Sequence, residues 1–179
     1  GKRNQTGLDW MNAPDPRADY YRNLPSYYYL NGDTIQGDLI AELYRNDENK
    51  RQIDWDNMYE ANAISNETIK NVNGVEGNDV TGKLARYVVE ERVALNKRIS
   101  AATTLNQAIN EHLNFTGGLT YQWQQIENYK RVDDLLGADF YIDNNRFADL
   151  DYPNNDSALQ NDLNNPNRLL KEGDKYGYD

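Results

Sequence analysis

The sequence predicts a β-rich α+β chain in which one long antiparallel hairpin is flanked by loop-rich segments with short helices. Two observations predict it: an apolar/polar alternation of period two over residues 87–129, and abundant asparagine, glycine and proline on either side of it. The 179 residues therefore divide into a surface-loop region with a short helix (1–83), the hairpin (84–130), and a second loop region with short helices leading into a next strand (131–179).

The first loop region contains one predicted helix, residues 34–45. Thr34 can cap its start, and an apolar stripe follows at helical spacing, formed by Ile35, Leu39, Ile40 and Leu43.

The hairpin is predicted from the side-chain parity of its two arms. In the second arm, odd positions from Leu113 to Trp123 are mostly apolar and even positions from Asn114 to Gln124 are mostly polar. The first arm follows the same parity, with Glu90 among its polar even positions, and residues 108–112 supply a polar turn.

The length of the arms suggests where such a hairpin belongs. Each has about 20 residues and spans roughly 65 Å, whereas a compact domain of this size is only about 40 Å across. Strands of a transmembrane β-barrel fit better, with residues 95–105 and 113–123 crossing the membrane. The candidate membrane-facing residues are Val93, Leu95, Ile99, Leu113, Phe115, Leu119, Tyr121 and Trp123, the last two at an aromatic girdle.

A long helix is the alternative for the first arm. Val88, Leu95, Ala102 and Ile109 recur every seven residues, and glycines at 117 and 118 could end such a helix. Its many β-branched residues favour the strand.

The last loop region is predicted to hold two short helices. One lies at residues 133–136 and the other at residues 158–163.

Composition and motifs exclude several classes of function. A net charge of −10 argues against a nucleic-acid partner, and the absence of cysteine excludes disulfides and thiolate chemistry. With His112 as the only histidine and no assembled nucleophile, we expect no catalysis, no cofactor and no metal site. Residues 149–156 carry oxygen ligands for calcium but lack the spacing of a calcium-binding loop.

Aromatic residues in the first region are candidates for ligand binding. Tyr27, Tyr28, Tyr29, Trp55 and Tyr59 could stack against sugar rings or other ligands. Alternatively, these rings pack the loops together in place of aliphatic side chains.

Five segments, in order along the chain, suggest a family. They are residues 8–27 (LDWMNAPDPRADYYRNLPSY), 52–62 (QIDWDNMYEAN), 133–143 (DDLLGADFYID), 161–168 (NDLNNPNR) and 173–178 (GDKYGY). Together they resemble the surface loops of Bacteroidetes TonB-dependent outer-membrane receptors. Because the chain begins at Gly1 and shows neither a plug nor a TonB box, we expect it to be a piece of such a receptor.

The resemblance implies a bacterial outer-membrane protein for nutrient uptake. Its loops would lie at the cell surface and help to capture a nutrient such as a glycan, and its hairpin would form part of the barrel wall. The implied partners are TonB and a surface lipoprotein, and the isolated piece would self-associate or fold its own loops over the apolar face. The alternative is a soluble glycan-binding module with tyrosine-rich loops, followed by a glycoside hydrolase.

Overall fold

The computed structural model describes residues 2–6, 14–145, 148–153 and 155–177, without the side chains of 2–6, 149, 150 and 156. The fold is β-rich, with a long antiparallel hairpin and several short helices, as the sequence predicts. The strands are β1 (Lys2–Thr6), β2 (Asn66–Ile69), β3 (Val80–Lys83), β4 (Tyr87–Asn110), β5 (Leu113–Asp134) and β6 (Lys175–Tyr176). The helices are α1 (Pro25–Leu30), α2 (Thr34–Asn46), α3 (Trp55–Ile64), α4 (Ala148–Asp151) and α5 (Asp156–Leu159), with 3₁₀ turns at Tyr21–Asn23, Glu48–Arg51 and Val72–Gly74.

The strands form two antiparallel sheets. The larger has the order β1-β4-β5-β6, and β2 pairs with β3 in the smaller one. In the larger sheet, β1 pairs only with the first residues of β4, and β6 only with Lys130 and Arg131 of β5. The rest of the hairpin therefore projects beyond its two flanking strands.

Strands β4 and β5 form one nearly continuous ladder. Ile99 pairs with Trp123 and Leu105 with Gly117, so odd positions of both strands share one face. The ladder shifts register between Val89 and Glu90 and again between Ala108 and Asn110. Asn110 then accepts a hydrogen bond from the backbone of His112 at 2.9 Å, which closes the two-residue turn. The hairpin is thus confirmed, and the helical alternative for the first arm is wrong.

The hydrophobic core lies where the hairpin begins and ends. On the odd face, Tyr87 packs with Met58 of α3 and with Leu136. On the even face, Val88 and Val132 pack with Tyr141, Leu170 and Tyr176 from the last third of the chain, in a cluster that also includes Ala85 and Leu135. We call residues 14–86 and 135–177 the loop module. It covers both faces of the hairpin only at this base.

Helix α2 confirms the prediction for residues 34–45 and extends it by one residue. Its first turn is capped by Asp33, whose side chain accepts from the backbone of Gln36, and not by Thr34. The apolar stripe is largely uncovered, because Ile35, Leu39 and Leu43 are exposed.

The two helices predicted after the hairpin differ in the structure. Residues 133–136 are not helical: β5 runs to Asp134, and Leu136 adopts a left-handed conformation with φ 49°. The Asp134 side chain accepts from the Leu136 backbone at 2.7 Å and holds this turn. The second predicted helix is shorter and earlier, since α5 ends at Leu159.

Candidate functional site

The apolar face of the hairpin is exposed over most of its length. The odd-numbered side chains Ile99, Leu105, Leu119 and Tyr121 are each 58% exposed or more. Phe115 and Trp123 on the same face are also exposed. Of the two expected alternatives, self-association or cover by the chain's own loops, the second is not found among the described residues. The loop module contacts the hairpin only near its base, and the ladder extends well beyond these contacts toward the turn.

The even face of the same ladder is polar and equally open. Asn114, Thr116, Thr120 and Gln122 are all exposed. Cover over the odd face would leave its side chains less exposed than those of the even face, but both faces are exposed, even though the strand itself is confirmed. What distinguishes the two faces is their chemistry, because one presents large apolar side chains and the other amides and hydroxyls.

Both outer edges of the hairpin are open. Within the described residues, β4 has no edge partner after Glu91, and β5 has none between Leu113 and Tyr129. Unpaired backbone groups of this kind are sites for strand addition. Moreover, Lys2 pairs further along β4 than Thr6 does, and Tyr176 pairs further from the base on β5 than Lys175 does. The start of β1 and the end of β6 therefore both lie on the side nearer the turn, beside the open edges.

The five predicted ligand-binding aromatics do not form one platform. Tyr27 and Tyr28 lie in a chain of edge-to-face contacts that also includes Tyr20 and Tyr21. Tyr29 donates to Asp38 of α2 at 2.8 Å, and its ring lies over Gly37.

Trp55 and Tyr59 lie apart from that tyrosine chain. They are on α3 and are exposed, and no ring contact joins them to the three tyrosines of α1 in the part of the chain that the structure describes. The packing interpretation fits Tyr27 and Tyr28, whereas Tyr29, Trp55 and Tyr59 present ring surface to solvent.

Asn62 fixes the loop module to the hairpin. Its fully buried side chain donates to the carbonyls of Tyr87 and Leu135, each at 2.9 Å, and lies 3.3 Å from that of Leu136. Its Oδ1 accepts from the backbone of Arg86 at 2.7 Å and of Tyr87 at 3.0 Å. One side chain thus joins α3, the start of β4 and the turn after β5. Sequence reasoning missed it, since nothing distinguishes Asn62 among so many asparagines.

Glu90 is the second residue that the sequence did not reveal. The alternation places it on the solvent-facing polar side, but its side chain is 1% exposed. Oε2 accepts from the Tyr176 hydroxyl at 2.6 Å and Oε1 from Arg92 Nε at 2.9 Å. Burial, followed by the bond to Glu90, raises the pKa of the Tyr176 hydroxyl. The last third of the chain covers the even face here, so a polar position becomes part of the core.

A cleft of about 1150 Å³ opens beside the base of β5. It lies between residues 126–130 of that strand and loop residues 142–144 and 160–165. Burial raises the pKa of Asp143 in its wall, where the carboxylate accepts from Asn161 at 3.2 Å. Asn144 Oδ1 is also buried here, without a hydrogen-bond partner among the described residues. The cleft offers amide and carboxylate groups to a polar ligand.

Several predicted features contribute no site. In the described part of the chain, no three histidine or acidic side chains are grouped to hold a metal, and no helix is long and apolar enough to span a membrane. The acidic stretch 149–156 is only partly covered: residue 154 and the side chains of 149, 150 and 156 lie outside the described residues, as do residues 8–13 and 178 of the family-like segments.

No protein-family model, no curated protein and no solved structure matches the chain.

Proposed function

We propose that this chain is part of a TonB-dependent outer-membrane receptor for nutrient uptake, with the hairpin in the barrel wall and the loop module at the cell surface. The observation that carries the proposal is a hairpin of 24- and 22-residue strands whose apolar face lies uncovered. A water-soluble protein rarely leaves an apolar patch of this size open. In a barrel wall, lipid covers that face.

The open edges of the hairpin support the same proposal. A membrane-spanning sheet must have no unpaired edge, because water is not present to satisfy the backbone groups. Strands β1 and β6 already pair at the two edges and are antiparallel to their neighbours, and the start of β1 and the end of β6 lie on the side nearer the turn. Further antiparallel strands continuing in those directions would close both edges, as the wall of an up-and-down barrel requires.

The loop module supports a role in ligand capture. It is joined to the hairpin by hydrogen bonds of Asn62 and by the Glu90–Tyr176 bond. It presents the exposed rings of Tyr29, Trp55 and Tyr59 and the amide-lined cleft beside β5. Rings and amides at a surface fit a glycan or another polar nutrient. A soluble glycan-binding module would use the same groups but leaves the apolar hairpin face unexplained.

Cell fractionation of the full gene product that carries this chain tests the proposal. We expect it in the outer-membrane fraction, resistant to extraction with alkaline carbonate, and migrating faster in gels before heating than after, as folded barrels do. Loss of nutrient uptake in a strain without TonB would follow. Recovery of the intact protein in the soluble fraction would refute the receptor and favour the soluble module.

A further inference from the structure

The register of the hairpin defines a belt without charged residues. Residues 99–110 of β4 and 113–123 of β5 contain no Asp, Glu, Lys or Arg on either face. In the ladder these two segments lie opposite each other, from the Ile99–Trp123 pair to the Asn110–Leu113 pair. We call them the belt. It ends at the turn residues Glu111 and His112 on one side and at Lys97 and Arg98 on the other.

The belt has the height of a bilayer core. Its 11 residues on β5 rise about 36 Å along the strand at about 3.3 Å per residue. With the tilt of about 35–45° typical of outer-membrane barrels, this corresponds to about 27 Å of depth, close to the apolar band of about 25 Å in such barrels.

The residues at the upper end of the belt mark a change of environment. Trp123 and Tyr121 occupy the last two odd positions of β5 within it, where aromatic side chains meet the lipid headgroups in membrane barrels. Two steps further on the same face, Lys97 pairs with Gln125, and then Leu95 with Glu127. On the lipid face of a barrel, Lys or Arg at the middle of the bilayer lowers the stability of the fold by about 2–4 kcal/mol.

We propose that lipid contacts the odd face of the belt alone, and that the seven ladder positions from Arg92 to Arg98 form a stem outside the bilayer. This inference rests on the proposed function and adds the position of the membrane along the hairpin. Short turns of outer-membrane barrels lie on the periplasmic side, so the Glu111–His112 turn faces the periplasm. The stem holds the loop module about 17 Å above the outer surface, since seven residues span about 23 Å along a strand that is tilted by about 35–45°.

This position would narrow the membrane-facing set that the sequence predicts. Val93 and Leu95 belong to the stem, because they pair with Tyr129 and Glu127 beyond the Lys97 position. Placing them in lipid would also place Lys97 and Glu127 in lipid on the same face. The two segments predicted to cross the membrane, 95–105 and 113–123, are also not opposite each other in the ladder. Leu95 lies opposite Glu127, and Leu113 lies opposite Asn110.

Spin labels on single cysteines, introduced into a cysteine-free version of the reconstituted full gene product, test the position; this chain itself contains no cysteine. The variants are Leu119→Cys in the belt, Thr120→Cys as its even-face neighbour, and Leu95→Cys in the stem. Accessibility to oxygen, which concentrates in lipid, is compared with accessibility to a water-soluble nickel chelate. We expect the ratio of oxygen accessibility to nickel accessibility to be highest at position 119 and to be low at positions 95 and 120.

The outcomes separate this inference from the proposed function. If the protein is embedded in vesicles but positions 95 and 119 give equal ratios, the boundary at Lys97 is wrong and the receptor proposal survives. If position 119 is as open to nickel as position 120 in the embedded protein, lipid does not contact the odd face. A protein that never enters the vesicles refutes the receptor itself.

His112→Cys tests the orientation of the hairpin in the membrane. A membrane-impermeant maleimide should label this cysteine only after the outer membrane is opened, and labelling in intact cells would reverse the orientation.

Discussion

Tyr176 donates a hydrogen bond of 2.6 Å to Glu90, which lies two strands away in the same sheet. The bond spans β5, where Glu90 lies opposite Val132 and Tyr176 opposite Lys130, and it ties the last described strand to the first long one. Both side chains are buried, so water cannot replace either of them as a hydrogen-bond partner. The short strand β6 forms only two ladder pairs, and this side-chain bond holds it in place.

Tyr176→Phe should therefore destabilise the loop module. Removal of the hydroxyl leaves a buried carboxylate with one partner fewer, and hydrogen bonds to charged groups contribute about 1.5–3 kcal/mol. Chemical denaturation would show the loss, together with faster hydrogen exchange in residues 170–177. The control is Tyr152→Phe, where the ring is exposed. An unchanged Tyr176→Phe variant would mean that Arg92 alone satisfies Glu90.

Asn62→Asp should be among the most damaging substitutions in the chain. The change is isosteric, and the backbone donors of Arg86 and Tyr87 remain, but the amide that donates to three backbone carbonyls becomes a charged oxygen that they repel. An uncompensated buried charge costs about 3–5 kcal/mol. The free energy of unfolding measures it, with the exposed Asn49→Asp as the matched control. Equal stability of the two variants would contradict the role assigned to Asn62.

Gly37→Ala should lack the gain that alanine normally brings to a helix interior. A Cβ at position 37 would lie 2.4 Å from Cε1 of Tyr29, so the ring must move and break its bond to Asp38. In a Tyr29→Ala background that obstacle is gone, and alanine should stabilise α2 by about 0.5–1 kcal/mol. A double-mutant cycle compares the two backgrounds. The same gain in both would show that Tyr29 does not constrain Gly37.

Asp143→Asn should change the pH dependence of stability in a defined direction. Because burial raises the pKa of Asp143 above 3.8 in the folded chain, its folded state binds more protons than the unfolded chain. The contribution of Asp143 to stability therefore falls as pH rises from 3.8 through the raised pKa, and the variant lacks this contribution. Denaturation midpoints at several pH values should show the variant gaining relative to the native chain over that range.

The control for Asp143 has the opposite sign. Hydrogen bonds from Asn165, and then from the Asn164 backbone, lower the pKa of Asp162. Asp162 therefore stabilises the fold above pH 3.8, and this contribution is lost as pH falls through its lowered pKa. Asp162→Asn should accordingly lose stability relative to the native chain at neutral pH. A gain in that variant would contradict the hydrogen bonds described for Asp162.

In water without lipid, the isolated chain should self-associate through the odd face of the belt. Stacking two such faces would bury on the order of 1,600 Å², the size of a stable interface. Leu119→Lys should lower the solution mass toward that of a monomer, whereas Thr120→Lys on the even face should leave it unchanged. Sedimentation velocity measures both. A native chain that stays monomeric at high concentration would refute this association.

Local patterns were sufficient wherever a segment's own residues set its structure. The alternation in both arms predicted the hairpin, because side chains of a strand point to opposite faces whatever surrounds them. The spacing of Ile35, Leu39 and Leu43 predicted α2, because residues four apart lie on the same face of a helix. The helix predicted at residues 133–136 was wrong, since Asp134 and Asn62 hold the Leu136 backbone in a left-handed turn that local preference disfavours.

The sequence by itself determined the two chemically different faces of the hairpin and its length, which follow from residue order and strand geometry alone. Only the tertiary structure decided the rest: that Glu90 is buried while Leu119 is open, that Asn62 joins three segments, and that Leu95 lies opposite Glu127. Burial depends on which distant segment covers a residue, and register depends on how two strands align. Neither can be read from one segment alone, because the contacts that fix them join residues far apart in the chain.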